Sequence, residues 1–199
     1  MNEGLARAEL ARYGKALWER RLVSGTSGNL SVRLDDGDLL VTPAGMSLGS
    51  LQPQDLVRTD PAGMARDASA RPTSELPLHL AALRARRDID VVLHAHPTFC
   101  VVWTKIARTL PRDTVGARET LGEVAWTQYR SPGSDELAHI TAAAFAEGID
   151  TVLMERHGIS TVGATLERAF MLADLTEEAA RIAYFSRLAL GETAIDAPR

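Results

Sequence analysis

Two histidines one residue apart, His94 and His96, close the run Val91-Val92-Leu93-His94-Ala95-His96-Pro97. The run is apolar and β-branched, which predicts a buried strand. Side chains on a strand alternate faces, so both imidazoles project to the same side. Pro97 cannot continue a hydrogen-bonded ladder and suits the first turn of a following helix. Two imidazoles at this spacing can bind one metal ion but cannot complete its shell. A third candidate, His157, lies in Glu155-Arg156-His157-Gly158, directly after a second apolar strand, Thr151-Val152-Leu153-Met154. Three neutral imidazoles with one coordination position left open make a catalytic metal site. Histidines at these positions could equally be core or surface residues, and spacing alone does not separate the readings.

Around these histidines stand three corners of small polar residues: Gly25-Thr26-Ser27-Gly28-Asn29, Pro43-Ala44-Gly45 and Thr73-Ser74. Backbone N–H groups and hydroxyls at such corners bind anions, best at a helix N-terminus. Three of them in an acidic protein suggest a phosphate pocket, though each taken alone is also an ordinary turn. Glu75, beside Ser74, either complements a helix dipole or acts as a general base beside a metal. His79 lies four residues further along the same helix face, where it packs, orients Glu75 or reaches the metal. His139 falls mid-helix and receives no role. Cys100 reads as a small buried hydrophobe rather than a ligand.

The elements that must position these residues follow from periodicity and punctuation. Leucines at helical spacing predict an amphipathic helix from about Leu5 to Arg21. Leu30–Leu34 and Asp38–Thr42 form a hairpin around Asp35-Asp36-Gly37, and Leu56–Thr59 and Met64–Asp67 a second pair. Ser74 is the expected N-cap of a helix running to about Arg87. After the His94 strand come a helix from Thr98 to Ala107 and short strand-like pieces between Thr114 and Val124. Ser134 caps a helix to Ala146, Ile159–Val162 is a strand, and Thr165 opens a last helix to about Leu190. An early meander followed by strands alternating with helices predicts an α/β protein with a central, mostly antiparallel sheet flanked by helices.

Bulk properties bound the class. The 199 residues fit one domain spanning 1–199, and 45% hydrophobic with 24% charged residues is globular composition. A net charge of −4 without a basic stripe argues against nucleic acid. Lys15 and Lys105 are the only lysines, which leaves little scope for Schiff-base chemistry. A single cysteine, a charged N-terminus and the lack of any long apolar run predict a cytoplasmic protein without a signal peptide or membrane span.

In order along the chain, Gly25-Thr26-Ser27-Gly28-Asn29-Leu30-Ser31-Val32-Arg33, Val41-Thr42-Pro43-Ala44-Gly45, Pro72-Thr73-Ser74-Glu75, His94-Ala95-His96-Pro97 and Arg156-His157-Gly158 resemble the motifs of the class II aldolase/adducin family. The resemblance runs from the first helix to about Gly191. It implies a three-layer α/β/α fold around a mostly antiparallel sheet, and a homotetramer with active sites between subunits. It implies that His94, His96 and His157 bind a divalent metal, zinc or else manganese. It implies that Asn29, Gly45, Thr73 and Ser74 hold a substrate phosphate, that Thr26 and Gly28 shape that loop, and that Glu75 is the acid/base. The activity implied is metal-dependent cleavage of a phosphorylated ketose to dihydroxyacetone phosphate and an aldehyde through a metal-stabilised enediolate.

Departures from the family pattern bear on the aldehyde half. Ala44 stands where fuculose-phosphate aldolases carry threonine, and Val115 about where they carry a tyrosine. The chain stops at Arg199, short of the tail expected to bring a second tyrosine, and Tyr129 and Tyr184 align with neither. A decarboxylase, epimerase or other lyase of a phosphorylated sugar acid is the alternative, with Arg118 or Arg130 as carboxylate contacts. A non-catalytic adducin-like interaction domain is the third reading. Trp126, Phe145 or Phe170 is expected at the subunit contacts.

Overall fold

The computed structural model describes residues 1–191; the last part of the expected 1–199 domain, 192–199, lies outside the described residues. Helix α1, Glu3–Glu19, starts two residues before the periodicity suggests because the Asn2 side chain accepts the Leu5 N–H at 2.9 Å. It buries Ala6, Leu10, Tyr13 and Leu17. Strands β1 (Asn29–Arg33) and β2 (Leu39–Val41) form the expected hairpin, with Gly37 at φ 89° in the turn. Two short 3-10 turns lead to β3, Val57–Thr59. The expected partner strand Met64–Asp67 reduces to a single bridge between Thr59 and Ala65, because Asp60 spends its side chain on the Ala62 and Met64 N–H groups of the turn.

Next come α2 (Leu76–Ala85), β4 (Val91–Ala95) and α3 (Thr98–Trp103). The strand-like pieces expected between Thr114 and Val124 are instead a short helix, α4, Val115–Thr120, followed by β5, Val124–Thr127. Thr114 caps α4 by accepting the Ala117 N–H at 3.2 Å, a local bond that overrides the β-branched bias. Helix α5 (Asp135–Ala146) is capped by Ser134 and α6 (Leu166–Ala189) by Thr165, both as read from the sequence. Strands β6 (Thr151–Met154) and β7 (Gly158–Gly163) lie between them.

The seven strands form one sheet in the order β3-β2-β1-β4-β7-β6-β5, antiparallel throughout except β5–β6. Alternation along the strands splits the core in two. Leu30, Val32, Leu93, Ala95, Leu153 and Ile159 join residues of α1, α3 and α6 on one face. Val41, Val92, Val152 and Val162 join α2 and α5 on the other. This is the three-layer α/β/α arrangement around a mostly antiparallel sheet that the sequence predicts. No helix of the described residues is long and apolar enough to cross a membrane.

The layer of α2 decides where the site lies. Leu76, Leu78 and Leu83 are buried, and each contributes about 2 kcal/mol against about 1 kcal/mol for a helix cap. Packing therefore sets the register of α2. Ser74 is not its N-cap, contrary to expectation: Glu75 occupies that position, makes no cap bond, and turns its side chain toward the sheet. Phe145, expected at a subunit contact, is fully buried within this chain's own α2–α5 core.

Candidate metal centre and active site

Asn29 of β1 pairs with His94 of β4, which pairs with Ser160 of β7, so the site is built on the central strands of the sheet. Strand β4 ends at Ala95 and its direction carries His96 one step past the ladder, with its N–H donating to the Leu22 carbonyl at 3.1 Å. His157 sits in the tight β6–β7 turn, its N–H donating to the Met154 carbonyl at 3.1 Å. The three rings stand edge to face, with centroids 4.7 to 4.9 Å apart. Single ligand atoms of Glu75, His94, His96 and His157 all lie within 4.8 Å of one another.

The proton bookkeeping of this cluster tests whether a metal fits. The Ile159 carbonyl can only accept, so the His94 Nδ1 donates to it at 2.8 Å and the ring presents its Nε2 to the cluster. That Nε2 lies 2.7 Å from the His96 Nε2 and 2.7 Å from Glu75 Oε2. With both imidazoles neutral and protonated on Nδ1, three acceptor atoms would converge on one point, which a cation there would satisfy together. Glu75 Oε1, 3.4 Å from the His157 Nε2, is buried and has no hydrogen-bond partner. The residues therefore fit a divalent metal, and the imidazole-rich donor set suits zinc or manganese. Burial, then the neighbouring His94, pushes His96 down to about 3 and His157 down to about 4, so both are neutral and ligand-competent at pH 7. Burial alone would lift the Glu75 carboxyl, but His94, His157 and the Asn29 amide outweigh it and hold it below the usual carboxylate range.

Glu75, which the resemblance implies as the acid/base, also comes within reach of the candidate metal position. Its Oε2 accepts from the Asn29 Nδ2 at 3.2 Å. Asn29 Oδ1 accepts in turn from the His79 Nε2 at 2.5 Å, and the Ser31 hydroxyl meets the His79 Nδ1 at 2.7 Å. His79 is fully buried with both ring nitrogens partnered, so it neither simply packs nor reaches the metal. Sequence reasoning placed Ser31 in a motif but gave it no role. The available signals were the i, i+2 spacing of Asn29 and Ser31 on one strand face and the i, i+4 spacing of Glu75 and His79 on one helix face.

The three polar corners share one hydrogen-bonded frame. Thr42 joins the first to the second: its N–H donates to the Leu30 carbonyl at 3.0 Å and its hydroxyl accepts the Leu30 N–H at 3.2 Å. The third is tied to the second through Thr73 N–H to the Thr42 carbonyl and Ala44 N–H to the Arg71 carbonyl, both 3.0 Å. Asn29 and Thr73 are buried, Gly28 is half-buried, and Thr26, Gly45 and Ser74 are exposed. Gly28 lies at φ 82°, where a Cβ would strike Val23.

A second close approach fixes the other side of the site. A Cβ on Gly158 would strike the Ala95 carbonyl oxygen and lie 3.1 Å from His96 Cδ2. Gly158→Ala must push β7 from β4 at the point where His96 and His157 meet. We expect a loss of at least about 2 kcal/mol, read as the midpoint of urea unfolding, together with weaker metal binding in a titration. Arg156, at φ 56°, is held in that left-handed turn by its N–H donating to Thr104 Oγ1 at 3.0 Å.

Other candidates lie apart from the centre. Cys100 is fully buried in the α1–α6 core, where burial pushes its thiol up, and its N–H donates to Glu177. His139 is exposed on α5. Arg118 Nε donates to the Arg112 carbonyl, and Arg130 Nη1 to the Tyr129 carbonyl. Phe170 tilts against Tyr13 at 5.4 Å, and Arg108 lies over the Trp126 ring at 4.8 Å.

Residues 8–184 match the family profile described as the class II aldolase and adducin N-terminal domain. An L-fuculose phosphate aldolase of Methanococcus maripaludis is 31% identical over 177 residues, 88% of this chain and 94% of that protein. A 3-oxo-tetronate 4-phosphate decarboxylase of Escherichia coli is 30% identical over 185 residues, 89% of this chain and 85% of that protein. The crystal structure of L-fuculose-1-phosphate aldolase from Thermus thermophilus superposes with a TM-score of 0.85 at 26% identity, covering 95% of this chain and 97% of that one.

Proposed function

The chain belongs to the class II aldolase and adducin family, and from that membership we propose that it is a metal-dependent carbon–carbon lyase cleaving a phosphorylated ketose to dihydroxyacetone phosphate and an aldehyde. The observation that carries this reading is the buried Glu75 carboxylate set against His94, His96 and His157. A divalent metal held by the three histidines, zinc or else manganese, supplies Lewis-acid polarisation of the substrate's carbonyl and hydroxyl oxygens.

The chain's own residues do the rest. In the synthetic direction Glu75 removes a proton from the hydroxymethyl carbon of dihydroxyacetone phosphate; in cleavage it returns one to the same carbon of the enediolate. Held below the usual carboxylate range, it is ionised and so free to accept a proton before substrate arrives. The frame joining Asn29, Gly45, Thr73 and Ser74, with Thr26 and Gly28 shaping its first loop, receives the phosphate through N–H groups and hydroxyls. Ala44 contributes only backbone there.

Deuterium exchange tests the proposal without knowledge of the aldehyde. Protein loaded with zinc or manganese, given dihydroxyacetone phosphate in D2O, should exchange one hydroxymethyl proton stereospecifically, read by proton NMR. The absence of exchange with metal bound would favour the second reading, a decarboxylase of a phosphorylated sugar acid. That reading is supported by the decarboxylase relative, and CO2 release from an oxo-acid phosphate is its direct assay. The intact Glu75–histidine cluster weighs against a purely structural adducin-like role. The expected setting is a cytoplasmic homotetramer with active sites between subunits, and a monomer in light scattering would count against shared sites.

A further inference from the structure

The carboxylate of Glu75 dictates a chain of proton positions running away from the site. An ionised carboxylate only accepts, so at 3.2 Å from Glu75 Oε2 the Asn29 side chain must present its NH2. Were that amide reversed, two acceptor oxygens would face each other. Asn29 Oδ1 therefore points at His79, whose Nε2, 2.5 Å away, must carry the proton. The His79 Nδ1 is then the acceptor, and the Ser31 hydroxyl at 2.7 Å donates to it. Three buried side chains from β1 and α2 thus have one self-consistent arrangement of hydrogens, which ends on Glu75 Oε2 as acceptor of the Asn29 Nδ2; the His94 Nε2 stands 2.7 Å from the same oxygen. Oε1 receives no hydrogen bond.

We infer that His79 is a positioning residue: by donating to Asn29 Oδ1 it sets which way the amide faces, fixes Oε2 of Glu75, and so leaves Oε1 as the oxygen that carries the proton. The inference rests on the reading of Glu75 as acid/base. His79 meets no histidine ligand, and it meets the phosphate corners only through the Asn29 side-chain amide that faces Glu75, so its contribution falls mainly on the proton-transfer step.

Two measurements test it. The first needs neither substrate nor metal: 15N-histidine-labelled protein, with its five histidines, should show in long-range 1H–15N spectra one ring protected from exchange, with the proton on Nε2, and this signal should shift in Asn29→Ala. A proton on Nδ1 of His79 overturns the inference. The second is deuterium exchange into dihydroxyacetone phosphate by the metal-loaded protein. His79→Leu should lower kcat by roughly 10- to 100-fold, as loss of an orienting partner does, with KM and bound metal preserved, and His79→Gln, which keeps an amide donor near the Nε2 position, should recover most of it. An unchanged kcat in His79→Leu, or a loss confined to KM, overturns the assignment. If His79→Leu does not fold, Ser31→Ala should give a smaller fall in kcat of the same kind, and an unchanged kcat there overturns it equally. No exchange by the wild-type protein, with the Nε2 proton in place, removes the acid/base reading and with it the role in proton transfer.

Discussion

Glu75→Gln is expected to keep its metal and phosphate affinity and to lose about 10²- to 10⁴-fold in proton exchange at dihydroxyacetone phosphate, the range a positioned general base contributes. The substitution preserves volume in a buried pocket. Asn29 Nδ2 still demands an acceptor at the Oε2 position, so the new amide oxygen takes that place and its NH2 falls where Oε1 stood, beside the His157 Nε2. The fold and the three imidazoles are retained, and the atom that carries the proton is gone. Metal content by elemental analysis, exchange by NMR and KM for dihydroxyacetone phosphate together read the result. Normal turnover by the variant would remove Glu75 from the mechanism, whereas loss of metal would show that its main contribution is as a ligand.

His94→Ala should have the largest effect of all. His94 is the hub of the cluster: its Nε2 is 2.7 Å from both the His96 Nε2 and Glu75 Oε2, while its Nδ1 satisfies the Ile159 carbonyl. Removing it leaves two histidines, one fewer than the three protein ligands a catalytic metal site ordinarily keeps. The expected outcome is no metal retained after dialysis and activity at background. The buried Ile159 carbonyl also loses its partner, at about 1–3 kcal/mol. Thermal unfolding separates the two effects. Metal at 100-fold above its dissociation constant should stabilise the wild-type protein by about 2.7 kcal/mol and the variant not at all. A variant that still gains stability with metal would mean that the other ligands suffice and that His94 is not the hub.

Local chemistry made much of this protein legible. Alternation placed His94 and His96 on one face of an apolar strand, and Ser134 and Thr165 announced their helices because a cap bond spans only three residues. The order of hairpin, strands and helices was enough for a central, mostly antiparallel sheet flanked by helices, and the family resemblance supplied the three-layer α/β/α arrangement. Local rules failed where packing or a turn outbid them. Ser74 yielded the cap position to Glu75 because the buried leucines of α2 set its register, and the segment after Thr114 became a helix on the strength of one cap bond.

The site itself divides along the same line. The residue types that could bind a metal and move a proton were visible from the chain alone, as was the polar character of the three corners. Their convergence was not. Asn29 meets Glu75 across 46 residues of chain, Ser31 meets His79 across 48, and His94 meets Ile159 across 65. Such pairs depend on strand order and register, which no local spacing encodes. Only the folded sheet, with α2 packed over β1 and β4, turned a histidine that could merely have been packing into the partner that orients Asn29.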